Sequence, residues 1–452
     1  AVISSVPQIQ HAIEIIYHGS DVEEQRLRDL VEIEVGAEES QEDSLIEDIT
    51  EADISGQVDA DDAPVIRFVN LLLSQAVKSR ASDIHIEPRE KSMSIRMRTD
   101  GVLHDMVPPS RKMQAAVIAR IKILSEMNIA ERRLPQDGRF KMKTSGRDID
   151  VRISIIPTIY GEKVVMRILD KTAVNHDIDQ LGFEPELLGK FKATLAQPYG
   201  IIIVTGPTGS GKSTTLYSSL NYLNDSAKNI TTVEDPVEYR LEGVNQIQIK
   251  PEINLDFAVC LRAILRQDPD IILIGEIRDK ETMEIAMKAS LTGHLVLSTF
   301  HTNDAPSAIS RLVYMGLEPY LLASTLNMII AQRLVRKICE RCKEPLKLND
   351  KVLRRLKIDP AAVDDTTFHH GKGCNACGGT GYYGRLPIFE FLVFDEDIRE
   401  KLVAGASEAE IRAMARKKGY GGLLDSGVKK LLQGLTTAEE VLSVTFTENI
   451  DA

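Results

Sequence analysis

Tryptophan is absent from this chain and aromatic residues make up only 5% of it, so the stacking platforms used to hold single-stranded nucleic acid are not on offer. Any apolar run near the roughly 18 residues needed to cross a bilayer is lacking too. The longest buried-looking stretches, such as Ile201-Ile202-Ile203-Val204, have strand length. The start, Ala1-Val2-Ile3-Ser4-Ser5, has neither an initiator Met nor the basic and apolar regions of a signal peptide, so a cytoplasmic chain trimmed at its N-terminus is expected. A net charge of -12 argues against a surface that grips nucleic acid throughout, although a local basic channel could hide within that total. With so few cysteines, five in all, thiol or metal chemistry is expected before disulfides.

What is present is enough for two or three domains, since 452 residues exceed one ordinary core of about 100–200 residues. Over residues 1–62 the spacing of Ile9, Ile13, Ile16 and Tyr17 predicts the tail of a truncated helical unit, followed by a linker dense in Asp and Glu. A small α/β domain is expected over 63–175. Val65, Phe68, Val69, Leu72 and Leu73 trace one helix face. Ile84 and Ile86, then Ile95 and Met97, alternate with polar residues up to Asp100-Gly101, the signature of strands and a hairpin. A helix around 111–128 and strands at 148–153 and 164–167 complete it. From 176 to 452 the pattern becomes apolar strand, Gly-rich turn and helix, repeated, with strands at 201–205, 230–233, 271–275 and 295–299. A mostly parallel sheet covered by helices is expected, interrupted by a cysteine-bearing subdomain at about 336–385 and closed by C-terminal helices. Ser407 and Glu410 have the spacing of a capping box opening one of those helices.

The segment Gly206-Pro207-Thr208-Gly209-Ser210-Gly211-Lys212-Ser213 satisfies the phosphate-binding pattern G-x-x-x-x-G-K-[ST] between a predicted strand and a predicted helix. Its glycines let backbone N–H groups turn inward towards anionic phosphates at a helix start, where Thr214 follows. Lys212 is expected to neutralise the β and γ phosphates of ATP and Ser213 to ligate Mg²⁺. The chemistry needs an acidic group at a neighbouring strand end. Glu276 after Ile271–Gly275 and Glu234 after Thr231–Val233 both qualify, with helix capping as the alternative role. His294 and His301 flank the strand Leu295 to Thr299, where they could sense the γ-phosphate or serve structure only. Cys339-x-x-Cys342 and Cys374-x-x-Cys377 can present four thiolates from two tight knuckles, which suits a structural Zn²⁺ with no open position. An iron-sulfur cluster or a redox dithiol is the alternative. Cys260, alone in a helical-looking segment, is expected to be a buried apolar residue.

Glu234-Asp235-Pro236-Val237-Glu238, Gln267 through Asp279, Thr292-Gly293-His294 through His301-Thr302, and Ser82-Asp83-Ile84-His85-Ile86-Glu87-Pro88 resemble, box by box, the secretion ATPase superfamily of type II secretion and type IV pili. The resemblance spans about residues 63–445. It implies a RecA-like P-loop ATPase domain with a smaller α/β N-terminal domain and a zinc-binding subdomain. It also implies Glu276 as the catalytic carboxylate, Glu234 assisting at the water or metal, and His301 near the γ-phosphate. The family sets arginines of its first domain against the nucleotide, at positions that fall on Arg152 and Arg167 here. Asp148, Asp150, Arg152 and Ser154 share one polar strand face opposite Ile149, Val151 and Ile153, which permits this role and equally a solvated sheet face. Arg262, Arg266 and Arg278 are further charge-stabilising candidates, or structural ion pairs. The family works as a homo-hexamer in the cytoplasm at the inner membrane, held there through partners and passing motion to an inner-membrane platform protein. Asn245-Gln246-Ile247-Gln248 and Asn303 to Ser307 look more like its pilus assembly branch than its type II secretion branch. A nucleic-acid translocase is the rival of a different class, weakened by the net acidity.

Overall fold

A computed structural model describes residues 64–144, 147–170, 177–363 and 368–445. The helical tail and acidic linker expected over 1–62 lie outside them. The described residues fall into two compact units, one running to residue 174 and including the turn 373–380, the other made of the remainder from residue 175. No helix among the described residues is long and apolar enough to cross a membrane.

The first unit opens with helix α1 (Pro64–Lys78), whose first residue needs no N–H partner. Its face Phe68, Val69, Leu72, Leu73 and Ala76 is buried against a six-stranded antiparallel sheet. Strands β1 (Ala81–Pro88), β2 (Met93–Thr99), β3 (Val102–Met106), β4 (Gln136–Thr144), β5 (Arg147–Thr158) and β6 (Gly161–Asp170) lie in the order β3-β2-β1-β6-β5-β4, with helix α2 (Gln114–Leu124) between β3 and β4 in the chain. Asp100 and Gly101 both take positive φ, 50° and 91°, between the paired residues Thr99 and Val102. That is the geometry a two-residue hairpin loop requires, and it explains the Asp-Gly signal. In β5, Ile149, Val151, Ile153 and Ile155 are buried while Arg152 and Ser154 face outward. The helix expected around 111–128 is shorter at both ends, and at its C-terminal end the chain leaves through Glu126 in the left-handed region. Strand β3 is the second arm of the hairpin that Asp100-Gly101 signals, whereas β4 had no counterpart among the expected strands. Both are sheet edges, and β4 alternates Phe140 and Met142 with Arg139, Lys141 and Lys143, so charge on the outer face dilutes the apolar signal and deters pairing with another edge.

The second unit is built on a seven-stranded sheet of order β15-β12-β7-β11-β10-β8-β9. It contains α3 (Pro185–Leu195), β7 (Gly200–Thr205), α4 (Lys212–Leu223), β8 (Ile230–Glu234), β9 (Asn245–Gln248), α5 (Phe257–Ile264), β10 (Ile271–Ile274), α6 (Lys280–Leu291), β11 (Leu295–Phe300), α7 (Ala305–Tyr314), α8 (Pro319–Thr325) and β12 (Leu326–Ile338). All pairings in it are parallel except that of β12 with β15 (Tyr382–Val393). The four strands expected from the sequence lie within one residue of their observed ends. Central β7 is apolar on both sides because both sides are covered: Ile201 and Ile203 enter a core with α5, α6 and α7, while Ile202 and Val204 enter another with α3 and α4. Cys260 is buried in the first of these, as expected of a small apolar side chain.

Beyond β12 the chain forms β13 (Lys343–Pro345), α9 (Asp350–Arg355) and β14 (His369–Gly371), with β13 and β14 paired antiparallel. Helices α10 (Glu396–Val403), α11 (Glu408–Lys417), α12 (Leu423–Leu432) and α13 (Ala438–Thr445) close the unit. The capping box forms at the start of α11: the Ser407 N–H donates to Glu410 Oε2 at 2.8 Å, and the Glu410 N–H to Ser407 Oγ at 3.4 Å.

Candidate nucleotide site and cysteine cluster

Because β7, β8, β10 and β11 are parallel, their C-terminal ends gather along one edge of the sheet, where ligands of open α/β sheets bind. The loop from Gly206 to Gly211 leaves β7 there and enters α4 at Lys212. Gly206 has φ 152° and Gly211 φ 90°. A Cβ on Gly206 would stand 2.4 Å from the backbone carbonyl oxygen of Gln332, so neighbouring β12 excludes a side chain there, and at Gly211 the left-handed φ favours glycine. No side chain caps α4, whose N-cap is Gly211 itself. Buried Lys212 arches back over the loop, its Nζ donating to the carbonyls of Gly206 at 2.9 Å and Pro207 at 3.0 Å. Burial pushes its pKa down and the Glu276 carboxylate works against that shift. The Ser210 hydroxyl is buried without a hydrogen-bond partner in the protein, while Pro207, Thr208, Gly209, Ser213 and Thr214 are exposed. An uncapped helix start, an unfilled Ser210 donor and a buried ammonium fit the phosphates of a nucleotide with its Mg²⁺.

Glu276 follows β10 and is tied beside the end of β11: the Thr299 hydroxyl donates to the Gly275 carbonyl at 2.6 Å, and the Ile277 N–H to the Thr299 carbonyl at 3.1 Å. Its carboxylate accepts from Arg278, and His301 Nε2 lies 3.3 Å away. Glu276 does not cap a helix, since Asp279 caps α6 by accepting from the Thr282 N–H at 2.8 Å. Lys212, Glu276, Arg278 and His301 are thus drawn into one neighbourhood. His294 is not among them. It sits at the opposite end of β11, its Nδ1 2.8 Å from the Ala289 carbonyl oxygen, so of the two histidines only His301 stands at the phosphate edge.

Glu234 ends β8, the strand beside β10, but is buried to 4% exposure with both oxygens engaged. Tyr217 and Thr232, the latter at 2.6 Å, donate hydroxyls to it, and Gln246 Nε2 lies 3.2 Å off. Buried Arg333 in β12 donates to the carbonyl and side-chain oxygens of Asn303, both at 3.1 Å, and the Thr302 N–H donates to Thr205 Oγ1 at 2.8 Å. These contacts fasten the loop after β11 to both strands flanking the phosphate loop. The sequence reading missed Tyr217, Gln332 and Arg333. The polar pair Gln332-Arg333 interrupting the run Met328 to Val335 was the available signal for the last two.

In the first unit, Arg152 on β5 stands in register with Arg139 on β4 and Arg167 on β6. Three like charges across adjacent strands repel unless an anion intervenes. Asp83 does so for Arg167, whose Nε lies 3.2 Å from Asp83 Oδ1. Arg262 pairs with Glu281 at 2.6 Å and Arg266 donates to the Arg262 carbonyl at 2.6 Å.

The four sulfurs of Cys339, Cys342, Cys374 and Cys377 lie within 4.8 Å of one another, and all four are thiols outside any disulfide. The knuckle bearing Cys374 and Cys377 leaves and rejoins the second unit beside the first knuckle: the Lys372 N–H donates to the Cys342 carbonyl and the Cys339 N–H to the Gly381 carbonyl, both at 3.0 Å. Sγ of Cys374 and Cys377 are 3.8 Å apart, about the edge of a tetrahedron with Zn–S bonds of roughly 2.3 Å. The Cys374 N–H points at Cys377 Sγ at 3.2 Å, as suits a thiolate. The donor set fits Zn²⁺.

The model of the family described as Type II/IV secretion system protein matches residues 58–443. The type IV pilus assembly ATPase PilB of Myxococcus xanthus is 47% identical over 451 residues, covering 98% of this chain and 77% of that protein. Type II secretion system protein E of Pseudomonas aeruginosa is 49% identical over 385 residues, covering 85% of this chain and 76% of that protein. Among solved structures, the pilus retraction motor PilT with bound ADP superposes with a TM-score of 0.56 at 26% identity, over 84% of this chain and 97% of that one. The Legionella pneumophila ATPase DotB, at 22% identity, has a TM-score of 0.61 over 86% and 97% and shares the fold.

Proposed function

The chain belongs to the type II/IV secretion system protein family and is a P-loop ATPase, and from that premise we propose that it drives assembly of a type IV pilus as a ring of six copies. The observation that carries the ATPase chemistry is the convergence of Lys212, Glu276 and His301 at the mouth of the loop 206–213. Hydrolysis needs little covalent chemistry from the protein and much positioning. The loop and Lys212 hold the β and γ phosphates of ATP, and Ser213 would hold Mg²⁺ through its exposed hydroxyl, the ion supplying positive charge against the phosphates. Glu276 takes the proton of the attacking water, and His301, 3.3 Å from it, stands at the γ-phosphate side. Arg278 releases Glu276 to meet developing phosphate charge. Arg152 and Arg167 meet the phosphates from the first unit when it closes, and hydrolysis changes how one subunit's first unit seats on a neighbouring ATPase domain. The ring works in the cytoplasm at the inner membrane and passes its motion to a membrane platform protein.

The pilus reading rests on the Myxococcus protein, which aligns over 98% of the chain, and on the segments Asn245–Gln248 and Asn303 to Ser307; the Pseudomonas secretion protein aligns over 85%. Type II secretion is the second reading, since that relative is 49% identical. Deleting the gene and scoring surface pili against secreted proteins separates the two. Lost pili with normal secretion is expected, and the reverse would make the chain a secretion motor.

A further inference from the structure

Glu234 and Glu276 leave adjacent strands, yet their surroundings differ. Glu276 keeps an opening to His301 and the phosphate loop, whereas Glu234 is enclosed with each oxygen held by a donor. Among those donors Tyr217 is distinctive in its origin. It lies on α4, the helix that begins at Lys212, a little over one turn further along. Its ring is 2% exposed and set edge-on to Tyr239 at 6.0 Å. The phenol oxygen accepts the Glu238 N–H at 3.3 Å, which orients its own hydrogen towards Glu234 Oε2. Burial and the adjacent carboxylate push the phenol pKa upward, so it remains a donor wherever the protein is folded. On the other oxygen, Gln246 cannot turn away. Its Oε1 accepts the Leu241 N–H at 2.7 Å and its Nε2 also donates to the Tyr239 carbonyl at 2.9 Å.

From this arrangement we propose that Tyr217 is a positioning residue for hydrolysis: it locks the Glu234 carboxylate to the phosphate-loop helix, so that Glu234 serves as a fixed anion on the metal and water side while Glu276 accepts the proton. Both Glu234 oxygens are already held by donors, so the carboxylate is committed to one orientation. The same saturation makes it a rigid charge, which is what orientation of a bound water requires. The tie to α4 gives the arrangement its purpose. Lys212 opens the helix that carries Tyr217 and Glu234 ends β8, so a single phenol ties the start of the phosphate-loop helix to that strand end. This inference rests on the nucleotide-site reading above.

Tyr217→Phe keeps the ring in its packing and removes only the hydroxyl. Losing a hydrogen bond to a charged group is expected to slow kcat by on the order of ten- to a hundredfold, with the KM for ATP and the Kd for ADP held within a few-fold. The decisive measurement is a double-variant cycle. Glu234→Gln alone slows turnover, and adding Tyr217→Phe to it changes kcat no further if the phenol acts through Glu234, whereas a merely structural role gives multiplied effects. Gln246→Met, which removes a donor from the other oxygen, is expected to show the same pattern and serves if the Tyr217 variant does not fold. Wild-type kcat in Tyr217→Phe, or multiplied losses in the double variant, overturns the proposal. Lys212→Ala, measured alongside, separates the two levels. Turnover surviving in that variant sinks the nucleotide-site reading itself, while its loss together with a silent Tyr217→Phe sinks only the positioning role.

Discussion

Replacing Glu276 by Gln isolates the proton acceptor, because the amide keeps the size and one acceptor oxygen of the carboxylate while losing its charge and basicity. Glu276 now accepts from Arg278, faces His301 at 3.3 Å and raises the pKa of Lys212 against the downward push of burial. Two separable effects follow. Without a base, the water must be activated unaided, and turnover is expected to fall by roughly 10²–10⁴. Binding moves the other way. A unit negative charge about 4–8 Å from the phosphates repels them by about 2–4 kcal/mol at an effective dielectric near 20, and the Arg278 cation cancels most of it. A net relief of about 1 kcal/mol tightens ATP by roughly fivefold. Phosphate release under single-turnover conditions reads the first effect, and equilibrium titration with a fluorescent ATP analogue reads the second. Hydrolysis at the wild-type rate in Glu276→Gln would refute the assignment and pass the base role to Glu234.

Elemental analysis is expected to find one Zn²⁺ per chain. Structural zinc in small peptides binds with about 10–16 kcal/mol, so Cys374→Ser or strong chelation should unfold residues 339–381 locally while the seven-stranded core persists by circular dichroism; iron or no metal would contradict this. Buried Glu390 on β15 accepts the Ala305 N–H at 3.0 Å, and desolvation pushes its carboxyl up to about 7 from 4.5. A carboxylate with a raised folded-state pKa penalises folding when ionised, so wild-type stability should fall as pH rises from about 4.5 to about 7 and level off above, by on the order of 3 kcal/mol. Glu390→Gln should escape that loss, and a melting-temperature gap between the two proteins that stays constant from pH 5 to pH 8 would count against it. Arg152→Ala and Arg167→Ala should each slow turnover by on the order of 10³ with nucleotide affinity within a few-fold, and Lys should rescue poorly because it lacks the planar fork. Full activity in both Ala variants would leave these arginines as a solvated sheet face.

The phosphate loop, the parallel strands around it and the cysteine pairs were legible in the sequence because each depends on short-range chemistry. Gly206, Gly209 and Gly211 answer to backbone angles, the run Ile201 to Val204 to burial on both sides, and the C-x-x-C spacing to the reach of one tight turn. What the sequence left open depended on partners distant along the chain. Glu234 and Glu276 were equivalent as acidic residues at strand ends, and only the arrival of Tyr217 from α4 and Gln246 from β9 enclosed one while the other stayed open beside His301. His294 and His301 flank the same strand symmetrically in sequence. Parallel pairing of β11 with β7 puts the phosphate loop at one end only, which selects His301. Edge strand β4 escaped notice because an edge is held by a single neighbour and needs few apolar residues. Likewise, the sequence shows Arg139, Arg152 and Arg167 as unrelated charges in three segments. Strand register alone sets them side by side, because it decides which residues of separate strands share a row.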